Sequence, residues 1–135
     1  MSARFEWPVR VYYEDTDVGG VVYYANYLRF MERARTEWLS ALGFDLADVE
    51  REHGVVFVVH RVEIAFRVPA QLSDRLDVTL TLRELGRARL VADQLVLRDG
   101  QTLTDARVTL ACLAPGTWRP ARIPARVQQR MEAFL

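Results

Sequence analysis

Three carboxylates stand within four residues, Glu14, Asp15 and Asp17, followed by Gly19-Gly20 and then by a long helical pattern. A carboxylate just ahead of a helix start lies beside amide N–H groups that have no partner within the helix, and beside the positive end of its dipole. An acid next to oxyanion-type donors is equipment for attacking a carbonyl. Between Val18 and Ala25 there is no Ser, Thr, Asp or Asn to cap the helix. The amides near Tyr23, Tyr24 and Ala25 are therefore expected to be open to a carbonyl oxygen. Asn26 offers the competing reading: it caps a helix that begins later, without a capping box because Arg29 occupies the N3 position. Asp17, the acid nearest the bend, is the candidate for that attack. Its ordinary alternative is a hydrogen bond across the Gly19-Gly20 turn. Glu14 and Asp15 are expected to bond locally or to sit in water.

The same residues exclude two other chemistries. A calcium loop opening at Asp15 would need later oxygen ligands, yet Val21 and Tyr23 occupy those positions and Asn26 stands where its closing Glu belongs. A phosphatase-type Asp-x-Asp nucleophile follows a strand of a parallel βαβ domain, and no alternating βα pattern is present. His53, His60 and Cys112 are the only nitrogen or sulfur ligands, which argues against a structural zinc site, and no metal is expected. With a single cysteine there is no internal disulfide, as suits a reducing cytoplasm.

Composition sets the frame for these residues. A chain of 135 residues, half of them hydrophobic, is long enough for one domain spanning 1–135 and too short for a second. Eighteen basic residues balance eighteen acidic ones, so no overall field favours nucleic acid or an anionic membrane. The N-terminal residues hold no apolar run of signal-peptide length, and runs such as Val55 to Val59 are too short for membrane insertion.

The elements that must position the acid can be read from periodicity. Trp7, Val9, Val11 and Tyr13 alternate with polar residues as a half-buried strand, which Pro8 places at an edge. From Tyr24 to Leu42 the apolar residues fall on one broad arc of roughly 180°, as on a helix cradled by a curved sheet. Pairs Arg29–Glu32 and Arg33–Glu37 are spaced to add about 0.2–0.5 kcal/mol each. Arg35 falls inside the apolar arc and is expected to pair with a carboxylate, Glu32 being nearest in sequence. Gly43 suits a helix end, and Asp45 to His53 a short helical or irregular connector. Then the period becomes two. Val56, Val58, His60, Val62, Ile64, Phe66 and Val68 are expected on one face of a long strand whose first half is apolar on both sides, as if a second subunit covered it. Leu76 to Arg83, Arg89 to Arg98 and Thr102 to Leu113 make three more strands, with a tight hairpin at Asp99-Gly100. A Pro-rich surface loop follows. Pro124 then suits the first position of a C-terminal helix carrying Val127, Met131 and Phe134. The layout is α+β.

The run from Trp7-Pro8-Val9-Arg10, through Asp17-Val18-Gly19-Gly20-Val21-Val22-Tyr23, to Glu32-Arg33-Ala34-Arg35-Thr36-Glu37 resembles the hotdog-fold acyl-CoA thioesterases. Within them it is similar to the YbgC-like, Tol–Pal-associated branch and to the hydroxybenzoyl-CoA thioesterase family. The resemblance implies a five-stranded antiparallel sheet wrapped around a long central helix, and a homodimer or homotetramer with sites between subunits. It implies hydrolysis of a small or medium acyl-CoA to acid and free CoA, with Asp17 and Tyr24 catalytic. Asp17 would act as nucleophile or as general base toward water, and Gly20, Val22, Tyr23 and Ala25 would bind substrate. Apart from the resemblance, Arg87 and Arg89 have the chemistry to meet the phosphates of coenzyme A, the ordinary alternative being that arginines beside a turn are solvated. No cofactor is implied, coenzyme A being part of the substrate. One departure is Tyr24, where YbgC-like proteins often carry His. A tyrosine titrates only near pH ~10, so a proton-transfer role for that His does not carry over. The rival within the same fold is a non-catalytic module binding acyl carrier protein or phospholipid-synthesis enzymes.

Overall fold

Residues 3–135 are described by a computed structural model. In chain order the elements are β1 (Arg4–Arg10), α1 (Asn26–Ala41), α2 (Leu46–His53), β2 (Val56–Phe66), β3 (Arg75–Leu85), β4 (Arg89–Arg98), β5 (Gln101–Ala114), β6 (Arg119–Pro120) and α3 (Ala125–Glu132). The sheet runs β1-β3-β4-β5-β2, with the two-residue β6 added to β5, and every pairing is antiparallel. Its inner face holds α1. β6 is an addition to the expected five strands: the Pro-rich loop lays Arg119 and Pro120 against Ala114 and Leu113.

The helix forms where its apolar spacing demands. Tyr27, Phe30, Met31, Ala34, Trp38 and Leu39 are buried, one stripe repeating at three and four residues. Strand residues Leu76, Val78, Leu80, Leu82 and Val108 point at that stripe and are almost wholly buried. Two packed clusters result. One surrounds the head of α1 with Val9, Val22, Tyr27, Phe30 and Val78. The other surrounds its tail with Trp38, Leu39, Leu82, Ile123, Val127 and Met131.

Between the clusters lies a polar seam. Gln94, fully buried on the inner face of β4, donates from Nε2 to the Met31 carbonyl at 3.0 Å and accepts from Arg35 Nη1 at 2.9 Å. The expected carboxylate partner for Arg35 is thus replaced by a neutral amide. Glu32 instead accepts from Thr36 Oγ1 at 2.8 Å. Burial pulls the Arg35 guanidinium below its ordinary value, and the nearby Glu32 charge works against that. Neither Arg29–Glu32 nor Arg33–Glu37 is among the ion pairs of the described residues.

Two boundaries near the head of α1 and the phase of one strand differ from the sequence expectation. β1 ends at Arg10 rather than Tyr13, because Tyr13–Asp15 closes into a single 3₁₀ turn. α1 begins at Asn26, two residues after Tyr24. The inward face of β2 changes phase at His60. Phe57 and Val59 lie opposite Cys112 and Leu110, whereas Val62 and Ile64 lie opposite Val108 and Ala106, with a bulge between Val59 and Arg61. One extra residue at a bulge inverts the parity of everything after it. Val56 and Val58 therefore face outward, away from Val62 and Ile64.

Pro8 sits in an edge strand, where its missing N–H costs no ladder bond. α2 is capped by Asp45, whose side chain accepts from the Ala47 and Asp48 amides. α3 starts after Pro124, one residue later than expected. No helix among the described residues is long and apolar enough to cross a membrane.

Candidate active site

After β1 the chain makes a small hairpin directly in front of α1. Thr16 bridges to Val22, the Asp17 amide donates to the Val21 carbonyl at 2.9 Å, and Gly20 N returns to the Asp17 carbonyl at 3.1 Å. Gly20 has φ 79°, a backbone conformation that glycine adopts without strain. A Cβ at Gly19 would stand 3.2 Å from Asp17 Oδ1, so both glycines are spoken for by the tip.

Asp17 occupies that tip and is exposed. Its Oδ1 accepts from the Gly19 amide at 2.8 Å, the turn bond that was the ordinary reading. Oδ2 has no hydrogen-bond partner among the described residues. The turn bond is thus present on one oxygen, while the other stands unpartnered among the described residues. Asp15, by contrast, is buried and structural, its Oδ2 accepting from the Tyr12 amide at 2.8 Å. Glu14 is exposed.

The helix head is uncapped, as expected. Ala25 is the residue before α1 and no side chain caps it. Of the three amides expected to be open, Tyr23 is not, because the hairpin sets it opposite Asp15, whose carbonyl accepts it at 2.9 Å. The amides of Tyr24 and Ala25 have no partner among the described residues. The Val22 amide is also taken, by the Ala70 carbonyl at 2.8 Å. The competing reading of Asn26 as the cap fails, since Asn26 is already helical and its side chain points back to the Asp15 carbonyl at 2.9 Å.

Aromatic rings wall the space beside these amides. A cavity of about 190 Å³ is lined by Val22, Tyr24, Tyr27, Phe66, Val68 and Pro69, among others. The Tyr24 and Phe66 rings meet edge to face at 6.2 Å, and Tyr27 stands 5.6 Å from Phe66. Tyr27 is anchored: its hydroxyl accepts from the buried Ala70 amide at 3.0 Å, and burial raises its phenol above the ordinary value. The neighbouring Tyr24 hydroxyl raises the Tyr23 phenol as well, so neither ring ionises at neutral pH. Phe66 is the wall that periodicity did not single out, because it was read only as a strand residue.

Arg87 and Arg89 are not brought to this site within one chain. The hairpin docks beside the start of β3, where Val21 bridges to Gln71, whereas these arginines follow its far end, roughly 35 Å along the strand. There Arg89 pairs with Glu84 at 3.2 Å, and the Arg87 carbonyl accepts from the Ile123 amide at 2.7 Å. A depression of about 640 Å³ on the outer face of the sheet, lined by Thr79, Thr81, Asp93 and Arg107 among others, lies across the sheet from α1. Asp93 is occupied there by Arg83 and Arg107. No group of three or more His, Cys, Asp or Glu side chains converges into a metal-holding cluster among the described residues.

A curled antiparallel sheet in the order β1-β3-β4-β5-β2, holding one long helix with an acid at its uncapped head, defines the chain as a hotdog-fold protein of thioesterase type. It belongs to the Thioesterase-like superfamily, which matches residues 11–131. It is 43% identical to the acyl-CoA thioesterase YbgC of Haemophilus influenzae, over 92% of this chain and 91% of that one. Identity to the acyl-CoA thioester hydrolase YbgC of Escherichia coli O157:H7 is 40%, over 93% and 94% of the two chains. Among solved structures, a 1,4-dihydroxy-2-naphthoyl-CoA thioesterase from Synechocystis superposes with a TM-score of 0.88 at 27% identity, covering 96% of each chain.

Proposed function

We propose that this protein hydrolyses the thioester of a small or medium acyl-CoA, releasing the acid and free CoA. The observation that carries the reading is the pairing of one unpartnered carboxylate oxygen, on Asp17, with two unpartnered amides, Tyr24 and Ala25, at the head of one helix. The thioester carbonyl oxygen lies against the amides, which stabilise the charge that develops on it. Asp17 attacks the carbonyl carbon, displacing the CoA thiolate to leave an acyl–aspartyl anhydride that water then cleaves to the acid, or it takes a proton from the water that attacks directly. The leaving thiol has a pKa near 8.5 by analogy with cysteine, roughly, so it departs as thiolate without a strong acid. The reaction needs no cofactor beyond the coenzyme A of its substrate.

The ring-lined cavity beside the amides supports an acyl group of limited size. Tyr24, whose ring lines the cavity and whose amide is open, is the second residue assigned to catalysis. A second copy of the chain completes the site. Two features support that: β2 is an edge strand with Val59 and Phe66 about half exposed, and Tyr13, Val18, Tyr23 and Tyr24 form an exposed rim around Asp17. Only such a copy brings Arg87 and Arg89 within reach of coenzyme A at this mouth. A cytoplasmic location suits an acyl-CoA substrate.

Steady-state CoA release from acetyl-, hexanoyl-, benzoyl- and palmitoyl-CoA tests the reading. Turnover is expected with the smaller acyl groups and is lost in Asp17→Asn. Background rates, equal in wild type and Asp17→Asn, are the result expected of a binding module and would overturn it.

A further inference from the structure

Asn26 is the first residue of α1, yet it does not cap the helix. Its side chain reaches back eleven positions, and Nδ2 donates to the Asp15 carbonyl at 2.9 Å. The Tyr23 amide donates to the same oxygen at 2.9 Å. The carboxylate hairpin is thus fixed at two levels, Asp17 against Val21 and Asp15 against Tyr23 and Asn26. These bonds differ in what they are attached to. Val21 and Tyr23 belong to the returning arm of the hairpin itself and move with it. Asn26 belongs to α1, whose buried stripe makes it the rigid body of the molecule, and directly after the two open amides.

We infer that Asn26 is the positioning residue of this site, an inference that rests on the hydrolase reading above. It locks Asp17 in register with the Tyr24 and Ala25 amides and does not itself touch substrate. A carboxylate released by about 1 Å from its reacting position loses on the order of a hundredfold in rate. The effect falls on kcat, because the groups that bind the acyl-CoA stay in place.

Asn26→Ala is expected to lower kcat by about 10- to 100-fold with KM little changed. Asn26→Asp keeps the shape but, when ionised, offers the Asp15 carbonyl no N–H, so it falls at least as far at neutral pH. On acidification its carboxyl gains an O–H donor. The ratio of its kcat to that of wild type therefore rises as pH falls. A merely structural Asn26 would lower the melting temperature and leave that ratio flat. Folded Asn26→Asp enzyme turning over within about twofold of wild type, or with a pH-independent ratio, overturns the inference. The two readings fail separately. Turnover insensitive to Asp17→Asn takes both down, whereas turnover abolished by Asp17→Asn and untouched at Asn26 removes only the positioning role. If Asn26→Ala does not fold, the pH ratio of Asn26→Asp decides alone.

Discussion

The tail of α1 and the hairpin in front of its head are held by different forces. At its tail, Trp38 and Leu39 are buried among Leu82, Ile123, Val127 and Met131, with Phe134 edge to face on the Trp38 ring at 5.7 Å. That end is held by packing of large apolar side chains, which is strong, non-directional and tolerant of small shifts. In the hairpin, Asp15 is joined to Tyr23 and Asn26, and Ala70 to Val22 and Tyr27, by single hydrogen bonds of 2.8–3.0 Å, and Asp17 and Tyr24 stand exposed. Each such bond contributes only about 0.5–1.5 kcal/mol, but it fixes a direction. Both ends of the helix are anchored in apolar clusters, whereas the hairpin in front of it is held by hydrogen bonds and keeps two amides and one carboxylate oxygen unsatisfied.

Substitutions in the hairpin and at the tail should therefore separate rate from stability. The largest effect on rate is expected in the hairpin: Asp17→Asn should lower kcat by about 10²–10⁴-fold. It should leave the denaturation midpoint near wild type, since the amide retains an oxygen for the Gly19 N–H. The largest effect on stability is expected at the tail, where Trp38→Ala should cost about 3–5 kcal/mol in urea unfolding. The surviving folded fraction should turn over normally. A Trp38→Ala enzyme that stays stable but loses kcat would break the division. Tyr27→Phe sharpens it from the middle: with the buried Ala70 amide left unpaired, about 1–3 kcal/mol should be lost.

Acid reports on the head through Asp74, which accepts from the Gln71 amide at 2.8 Å and from Arg98 at 2.7 Å. Desolvation pushes its carboxyl up, but these bonds and the Arg98 charge outweigh it and hold the group below its ordinary value. A depressed folded value means stability that is present above the ordinary carboxylate range and lost as pH falls through the folded value. The stability gap between wild type and Asp74→Asn should accordingly close on acidification, while the gap for Trp38→Ala persists. Smallest of all is the expectation for Cys112, whose thiol burial pushes up to about 11. It should stay unreactive toward disulfide reagents in the folded protein, leaving released CoA as the only thiol that such an assay detects.

How far the sequence carried varies with the kind of signal. The buried stripe of α1 was legible because six positions repeat one period, and the helix lies where they place it. The phase of β2 was not. A bulge at His60 leaves no composition signal, and one inserted residue inverts every later position. The uncapped head was legible from residue types in order. That Tyr23 would spend its amide on Asp15 was hidden, because the bond arises from a hairpin that only three-dimensional pairing defines. Arg35 was marked as a buried charge needing a partner, but Gln94, its actual partner, is 59 positions away, and nothing local pointed to it.

The closing piece of the tail also bears on how the chain is made. The Ile123 amide bonds the Arg87 carbonyl at 2.7 Å, Gln128 Nε2 bonds the Gly86 carbonyl at 3.0 Å, and Val127 and Met131 seal the apolar space behind Trp38. These residues leave the ribosome after every strand of the main sheet. A chain halted before them would leave the apolar residues behind Trp38 facing water, so this end of the core closes only once α3 has docked.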